Sequence, residues 1–238
     1  MAEMTKEYLV PAEDIAINKA LFDQKAYTLP EDVTVYVTPS GNDFSGDGSS
    51  VAPYRTIQAA INALPRHLGG HTATIDIAGG TYEERINIEG FSSGKLIVGQ
   101  PQRSVAVRGV NVVNSDHVTF NIPNVTWASG FSGTIFYVGF NSSVALASDM
   151  TVRCAGSTEV GIGVTQASNL TANGTMVTVL NCERSAVLAT YGSNVALTTI
   201  AGSNNTAAGL VSERGSILSY TTATIASTVG NVARMGGR

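Results

Sequence analysis

The chain reads as an all-β protein wound into a parallel solenoid, and three observations carry that reading. The segments NSDHV (114–118), NSSV (141–144), ASNL (167–170), GSNV (192–195) and GSI (215–217) repeat one pattern, a small polar turn followed by an apolar residue. The apolar members Val118, Val144, Leu170, Val195 and Ile217 are spaced by 26, 26, 25 and 22 residues, a period that suits one coil of stacked β-strands. Charged residues make up only 13% of the 238, well below the roughly 25% of ordinary globular domains. Ser, Thr, Asn, Gly and β-branched residues fill the sequence instead, as stacked β-coils with short polar turns require.

Coils in such a solenoid stack about 4.8 Å apart, so residues one period apart become neighbours and columns can be read from the sequence. The inward column is Val118, Val144, Leu170, Val195 and Ile217. Two residues on, Phe120, Leu146, Ala172, Leu197 and Ser219 form a second inward column that shrinks toward the C-terminus. The turn column holds Ser115, Asn141, Ala167, Gly192, Gly215 and Gly236; Asn and Gly suit a left-handed bend, and the turn is expected to change shape at Ser115 and Ala167. One position earlier, Asn114, Phe140, Gln166, Tyr191, Arg214 and Met235 align as a surface stripe.

Taken in order, residues 1–32 differ from the rest: they hold Lys6, Lys19 and Lys25 together with seven acidic residues, and Pro11–Gln24 predicts a short helix with Ile15, Ile17, Leu21 and Phe22 as its apolar members, closed by Pro30. This leader is expected to be an attachment segment. Residues 33–72 predict a strand at Val33, Val35 and Val37, a Gly/Asp/Ser loop, and a helix over Thr56–Leu64 ended by Pro65. Ile57, Ala60, Ile61 and Leu64 share one face of that helix, which suits a cap on the open hydrophobic end of the solenoid. Residues 73–238 are the coils, roughly six or seven of them by period.

The opening of this region carries a resemblance. Tyr36-Val37-x-Pro39-x-Gly41-x-Asp43 with Gly46-Asp47-Gly48, then Pro53-Tyr-Arg-Thr-Ile-Gln-Ala-Ala-Ile61, then Ile75-x-Ile-Ala-Gly-Gly-Thr-Tyr82-x-Glu84-Arg-Ile86, resembles the N-terminal part of the right-handed β-helix proteins of the pectate lyase-like superfamily. The resemblance implies a right-handed parallel β-helix with an N-terminal capping helix. It leaves function open, because pectin methylesterases, polysaccharide lyases, glycoside hydrolases and phage tailspikes share the motif.

Carboxylate chemistry is sparse. Residues 96–238 contain Asp116, Asp149, Glu159, Glu183 and Glu213, too scattered for the six or more oxygen ligands of a Ca²⁺ site. The further motifs of pectin methylesterases do not follow Gln100. Glu159 and Glu183 are the one pair whose register could bring two carboxylates together as glycosidases need; an ion pair of Glu159 with Arg184 is the favoured reading. Asp43 and Asp47 read as a solvated loop, with cation binding as the alternative. His67, His71 and His117 have no nucleophile in register, and Trp127, beside Phe131, Phe136 and Tyr137, reads as core. Cys154 and Cys182, roughly one coil apart, are expected to stack as interior thiols, with a disulfide or a metal pair as alternatives. Asn124, Asn141, Asn169 and Asn173 begin glycosylation sequons that follow from composition.

A net charge of −4 without basic clusters argues against nucleic-acid binding, and no run reaches the roughly 18 apolar residues of a membrane span. The acidic start predicts synthesis in the cytoplasm without an export signal. At VARMGGR the turn register reaches Met235 and Gly236 with no inward residue after it, from which an exposed last coil covered by another chain is expected. The expectation is therefore a structural tailspike-like appendage of a phage or prophage tail, held to other virion proteins through 1–32. It would be homotrimeric and face a host polysaccharide, and Phe140, Gln166, Tyr191, Arg214 and Met235 are the candidates for packing between subunits, the favoured role, or for glycan contact. No catalytic residue, metal or cofactor is assigned. The alternatives are a lyase or hydrolase using Glu159 and Glu183, or a non-catalytic carbohydrate-binding module.

Overall fold

The computed structural model describes residues 28–101, 103–126, 133–154, 160–206, 208–227 and 230–234, with side chains left aside at 126, 227 and 230–234. The leader helix, Trp127, Phe131, Glu159, Met235 and Gly236 lie outside the described residues.

Three parallel sheets run the length of the molecule, and each coil gives one strand to each. Sheet 1 stacks β1 (Val33–Val37), β2 (Thr72–Ile77), β4 (Lys95–Val98), β6 (Val118–Phe120), β9 (Ser143–Leu146) and the first halves of β12 (Asn169–Leu180), β14 (Asn194–Asn205) and β16 (Ile217–Ser227). Sheet 2 stacks the first halves of β3 (Gly80–Glu89) and β5 (Val105–Val113), then β7 (Asn124–Thr126), β10 (Met150–Arg153) and the second halves of β12, β14 and β16. Sheet 3 stacks the second halves of β3 and β5, then β8 (Thr134–Gly139), β11 (Val160–Val164), β13 (Ser185–Ala189), β15 (Ala208–Glu213) and β17 (Gly230–Arg234). The result is an all-parallel β-helix of about six turns, with 58% of the described residues in strands and 4% in helix.

The inward column of sheet 1 runs unbroken through Val33, Ala73, Leu96, Val118, Val144, Leu170, Val195 and Leu218. Its last member corrects the sequence reading, because Val195 pairs with Leu218 and Leu197 with Tyr220, while Ile217 sits opposite Asn194 and is 63% exposed. The interior therefore does not shrink to Ser219. The first turn is also offset. Ser143 N–H donates to the Ser115 carbonyl as Asn169 N–H donates to that of Ser142, so Asn114 stacks with Asn141 and not with Phe140. The extra residue of that turn is absorbed at His117, whose φ is 53°.

What fixes the register is a buried serine column. Phe91 N–H donates to Ser115 Oγ, Ser115 N–H to Ser142 Oγ, Ser142 N–H to Ser168 Oγ and Ser193 N–H to Ser216 Oγ, at 3.1–3.2 Å. Ser115, Ser142, Ser168 and Ser193 are all at most 1% exposed. Each hydroxyl meets a backbone N–H that a buried turn would otherwise leave unpaired, and so makes this bend affordable inside the rod.

The bend itself uses pairs of left-handed residues: Phe140 (φ 55°) with Asn141 (59°), Gln166 (56°) with Ala167 (58°), Tyr191 (56°) with Gly192 (73°), and Arg214 (54°) with Gly215 (75°). The turn does not change shape at Ala167, as its sequence suggested; the strain of a non-glycine residue there is held by Ala167 N–H donating to the Tyr191 carbonyl at 3.0 Å.

Helix α1 (Ile57–Ala63) lies over β1, β2 and β3 and buries Ile57, Ala60 and Ile61 completely. Thr56 is its N-cap, accepting from Ala59 N–H, and Leu64 closes it. Glu84, 27 residues away on β3, accepts from the N–H groups of Ile57 and Gln58 at 2.8 and 2.9 Å. Asp43 accepts from the N–H groups of Arg55 and Thr56 and from the Thr56 hydroxyl. Gln58 in turn pairs its side-chain amide with the backbone of Asn87. The motif residues Asp43, Thr56, Gln58 and Glu84 are thus the clasp that holds the cap to the first coil. Both oxygens of Asp43 are therefore taken up by the entry to the cap and not left to solvent, whereas Asp47 is exposed in the loop, as expected, and accepts from Ser49 N–H.

Tyr82 sits beside this clasp, 4% exposed, its hydroxyl donating to the Ala78 carbonyl at 2.9 Å. Burial, and then the neighbouring Glu84 charge, push the phenol up to about 12 from its ordinary 10. The unfolded chain then releases this proton first, so Tyr82 stabilises the fold fully below pH 10 and progressively less as pH rises toward 12. Urea midpoints measured from pH 9 to 12 should fall with pH, and Tyr82→Phe should flatten that slope; an unchanged slope in the variant would place the titrating group elsewhere.

Cys154 and Cys182 do not remain thiols. They form a disulfide between adjacent rungs of sheet 2, with Cα atoms 5.1 Å apart. The separation of stacked rungs already falls in the range a disulfide spans, so the chain reaches it without distortion. Asn205, 2% exposed, encloses the bond from the next rung, accepting from Cys182 N–H and donating to the Val179 carbonyl.

Candidate functional site

The stripe of turn residues is present as a stacked column. Asn141 N–H donates to the Gln166 carbonyl, Ala167 N–H to that of Tyr191 and Gly192 N–H to that of Arg214, which places Phe140, Gln166, Tyr191 and Arg214 on successive rungs. Left-handed backbone turns their side chains to the outside; Phe140 is 45% and Tyr191 52% exposed. The Arg214 guanidinium stacks 4.4 Å over the Tyr191 ring and also contacts its hydroxyl. Tyr137, on sheet 3, ties the stripe from the side through bonds to Thr165 Oγ1 and Gln166 Oε1. Contacts of this kind pre-organise an aromatic and guanidinium platform of the composition found in interface cores.

Among the described residues the carboxylates of the coils do not assemble. Asp116 is exposed in the turn after β5, Asp149 in the corner before β10, and Glu183 in the turn before β13, where its backbone carbonyl accepts from the Thr206 hydroxyl. The partner proposed for Glu183, Glu159, lies outside the described residues. Among the described residues no group of three or more His, Cys, Asp and Glu gathers as a metal site would need. His71 faces Asp32 at 3.5 Å, near the cap. Elsewhere charged pairs bind rung to rung: Arg103 to Asp76 at 2.7 Å and Arg108 to Glu83.

At the clasp, the two carboxyl groups are pulled in opposite directions. Burial pushes Glu84 up despite its two N–H donors. For Asp43 burial acts the same way, but Thr56, through its N–H and hydroxyl, and Arg55 together hold the carboxyl below its usual range. Such shifts mark a structural junction as readily as a catalytic one, and here every donor belongs to the cap.

Among the hollows on the outer surface, two lie along the coils. One, of about 540 Å³, covers the outer face of sheet 1 with Lys95 and His117 above a floor of Thr119, Ser143, Ala145 and Thr171. The other, of about 610 Å³, lies at the corner between sheets 1 and 2 and crosses four rungs, from Arg103 through Asn124 and Asp149 to Thr175. No motif announces this cleft, since the contributing residues come from separate loops. Two buried hydroxyls lining this cleft, Ser148 Oγ and Thr175 Oγ1, have no hydrogen-bond partner among the described residues.

The class these features define is a parallel β-solenoid with an outward platform at one turn and a polar cleft at one corner. No family model matches the chain, and neither a curated protein nor a solved structure matches it. Among the described residues no helix is long and apolar enough to cross a membrane.

Proposed function

We propose that this chain is a structural, tailspike-like β-helix of a phage or prophage tail, attached to other virion proteins through residues 1–32 and presenting its outer turns to a host surface. The observation that carries the reading is the stacked column Phe140, Gln166, Tyr191 and Arg214, an exposed platform repeated on successive rungs and already ordered by its own contacts. Such a face suits packing against like faces around a threefold axis, because aromatic and Arg side chains gain most where an interface excludes water. The carboxylate-poor coils support a structural role over a depolymerase, and the resemblance of the opening motif to tailspikes supplies the virion context.

Light scattering coupled to size exclusion tests it. The expected mass is three times 24.7 kDa, with Tyr191→Ala/Arg214→Ala shifting the protein to a smaller species. A clean monomer, or a trimer indifferent to the double substitution, removes the stripe as the assembly surface.

A second reading, a non-catalytic carbohydrate-binding module, is favoured by the polar cleft between sheets 1 and 2. The enzymatic alternative rests on Glu159 and Glu183, and depolymerising activity lost in Glu159→Gln and Glu183→Gln proteins would establish it.

A further inference from the structure

We propose that Asn173 is a deamidation site, at which the Gly174 backbone nitrogen displaces ammonia from the side chain, and that the Thr198 hydroxyl sets the rate by holding that nitrogen's proton. The inference is independent of how the chain assembles. Asn-Gly occurs once in the sequence, at 173–174, and a glycine nitrogen can approach the preceding side chain because no Cβ stands in its way.

The backbone there is spare chain. Ala172 pairs with Leu197 and Met176 with Thr199, so residues 173–175 face Thr198 alone and form a bulge in the ladder. Side chains hold the bulge from both adjoining rungs: Met176 N–H donates to Asp149 Oδ1 at 2.8 Å and Gly174 N–H to Thr198 Oγ1 at 2.9 Å. Asn173 and Gly174 are exposed, Gly174 has φ 74°, and nothing lies within 4 Å of where its Cβ would stand. Water therefore reaches the site, and a five-membered ring has room to close.

Other asparagines followed by a small residue are guarded. In Asn114–Ser115, Asn141–Ser142 and Asn181–Cys182 the second residue's N–H donates inward, to Ser142 Oγ, Ser168 Oγ and Asn205 Oδ1 respectively. Ser115, Ser142 and Cys182 are at most 1% exposed, and a nitrogen that must give up its proton to solvent cannot do so there. Gly174 differs because its guard, Thr198, is itself part-exposed and turns away by rotation about χ1.

The step needs water and no other reagent. The Gly174 nitrogen gives its proton to hydroxide and bonds to Asn173 Cγ; the Cγ–Nδ2 bond breaks, ammonia leaves and a succinimide closes. One water then opens the ring. Attack at the former side-chain carbonyl gives aspartate, and attack at the former backbone carbonyl gives isoaspartate, whose main chain is longer by one carbon. Either product puts a new carboxylate on the bulge that Asp149 holds. The added atom falls where the ladder is already interrupted, so the neighbouring rungs keep their register.

The experiment incubates the folded full chain over a pH series and maps its products by peptide mass spectrometry, with isoaspartyl methyltransferase labelling to separate isoaspartate from aspartate. The expected result is conversion at residue 173, rising with pH and giving both products, while Asn114, Asn141 and Asn181 stay intact. Thr198→Val should speed the reaction about fivefold, the worth of one hydrogen bond. Thr198→Ser should keep the native rate and Gly174→Ala should stop the reaction, with urea midpoints showing that each variant is folded. Asn173 left intact while the urea-unfolded chain converts there, or equal conversion at Asn114 or Asn141, overturns the site. A rate unmoved by Thr198→Val, or raised as much by Thr198→Ser, overturns the role of the hydroxyl, and continued reaction in Gly174→Ala overturns the attack by nitrogen.

Discussion

Cys154→Ala/Cys182→Ala should lower the unfolding free energy by about 3–4 kcal/mol, the chain-entropy value for a loop of this size. The two cysteines are 28 residues apart, so the bond closes one whole coil, and its loss returns that coil's freedom to the unfolded chain. Each cysteine also packs as core, at 1% and 0% exposure, and the alanines leave a small cavity on top of the entropic loss. Reductant should therefore act only on molecules that have opened. Urea curves of oxidised, reduced and double-alanine protein, with thiols counted by alkylation and mass spectrometry, decide the matter. Two alkylatable thiols in the folded protein, or one midpoint for all three forms, would sink it. Such bonds persist in oxidising surroundings, so on the tail-appendage reading the chain would fold as a dithiol and gain this stability after release from the cell.

Phe136→Ala should cost about 3–5 kcal/mol, the range for deleting a buried aromatic ring. Phe136 on β8 is 0% exposed and meets Phe120 on β6 edge to face, with centroids 5.3 Å apart. The pair bridges sheet 3 to sheet 1 across the hollow of the coil, where no backbone hydrogen bond can substitute for it. Coils interact mainly with their neighbours, so the damage should be local in space. Amide exchange should accelerate in β6, β8, β9 and β11 while the cap around α1 keeps its protection. A loss below about 1 kcal/mol would mean that the ring is not packed as described.

Much of this architecture was legible in the sequence because it is periodic. The inward residues Val118, Val144, Leu170 and Val195, the capping face of Ile57, Ala60 and Ile61, and the stripe from Phe140 to Arg214 all occupy the predicted columns. The departures in register share one cause, which is that hydrophobicity alone points to the wrong residue. At the last repeat apolarity favours Ile217 as the inward residue, although Ser216 aligns with Ser193 and makes Leu218 the true member. Serine hydroxyls carry the register in this protein, and short polar residues attract little notice in a chain rich in them.

The pairing of Cys154 with Cys182 was hidden for a different reason, since thiols and a disulfide share the same spacing. At Asp43 the acidic loop suggested solvent or a cation, but its partners are the backbone N–H groups of Arg55 and Thr56 at the entry to α1, which no residue type announces. The corner cleft was illegible altogether, because its members meet only after four loops have stacked.

The serine column also makes this rod a ruler. Each coil closes its neighbour's turn with one hydroxyl, from Ser115 to Ser142 to Ser168, so a duplicated coil would meet the same serine contact at its seam. Length then grows in increments of about 4.8 Å, and the reach of such a molecule is written in its number of turns.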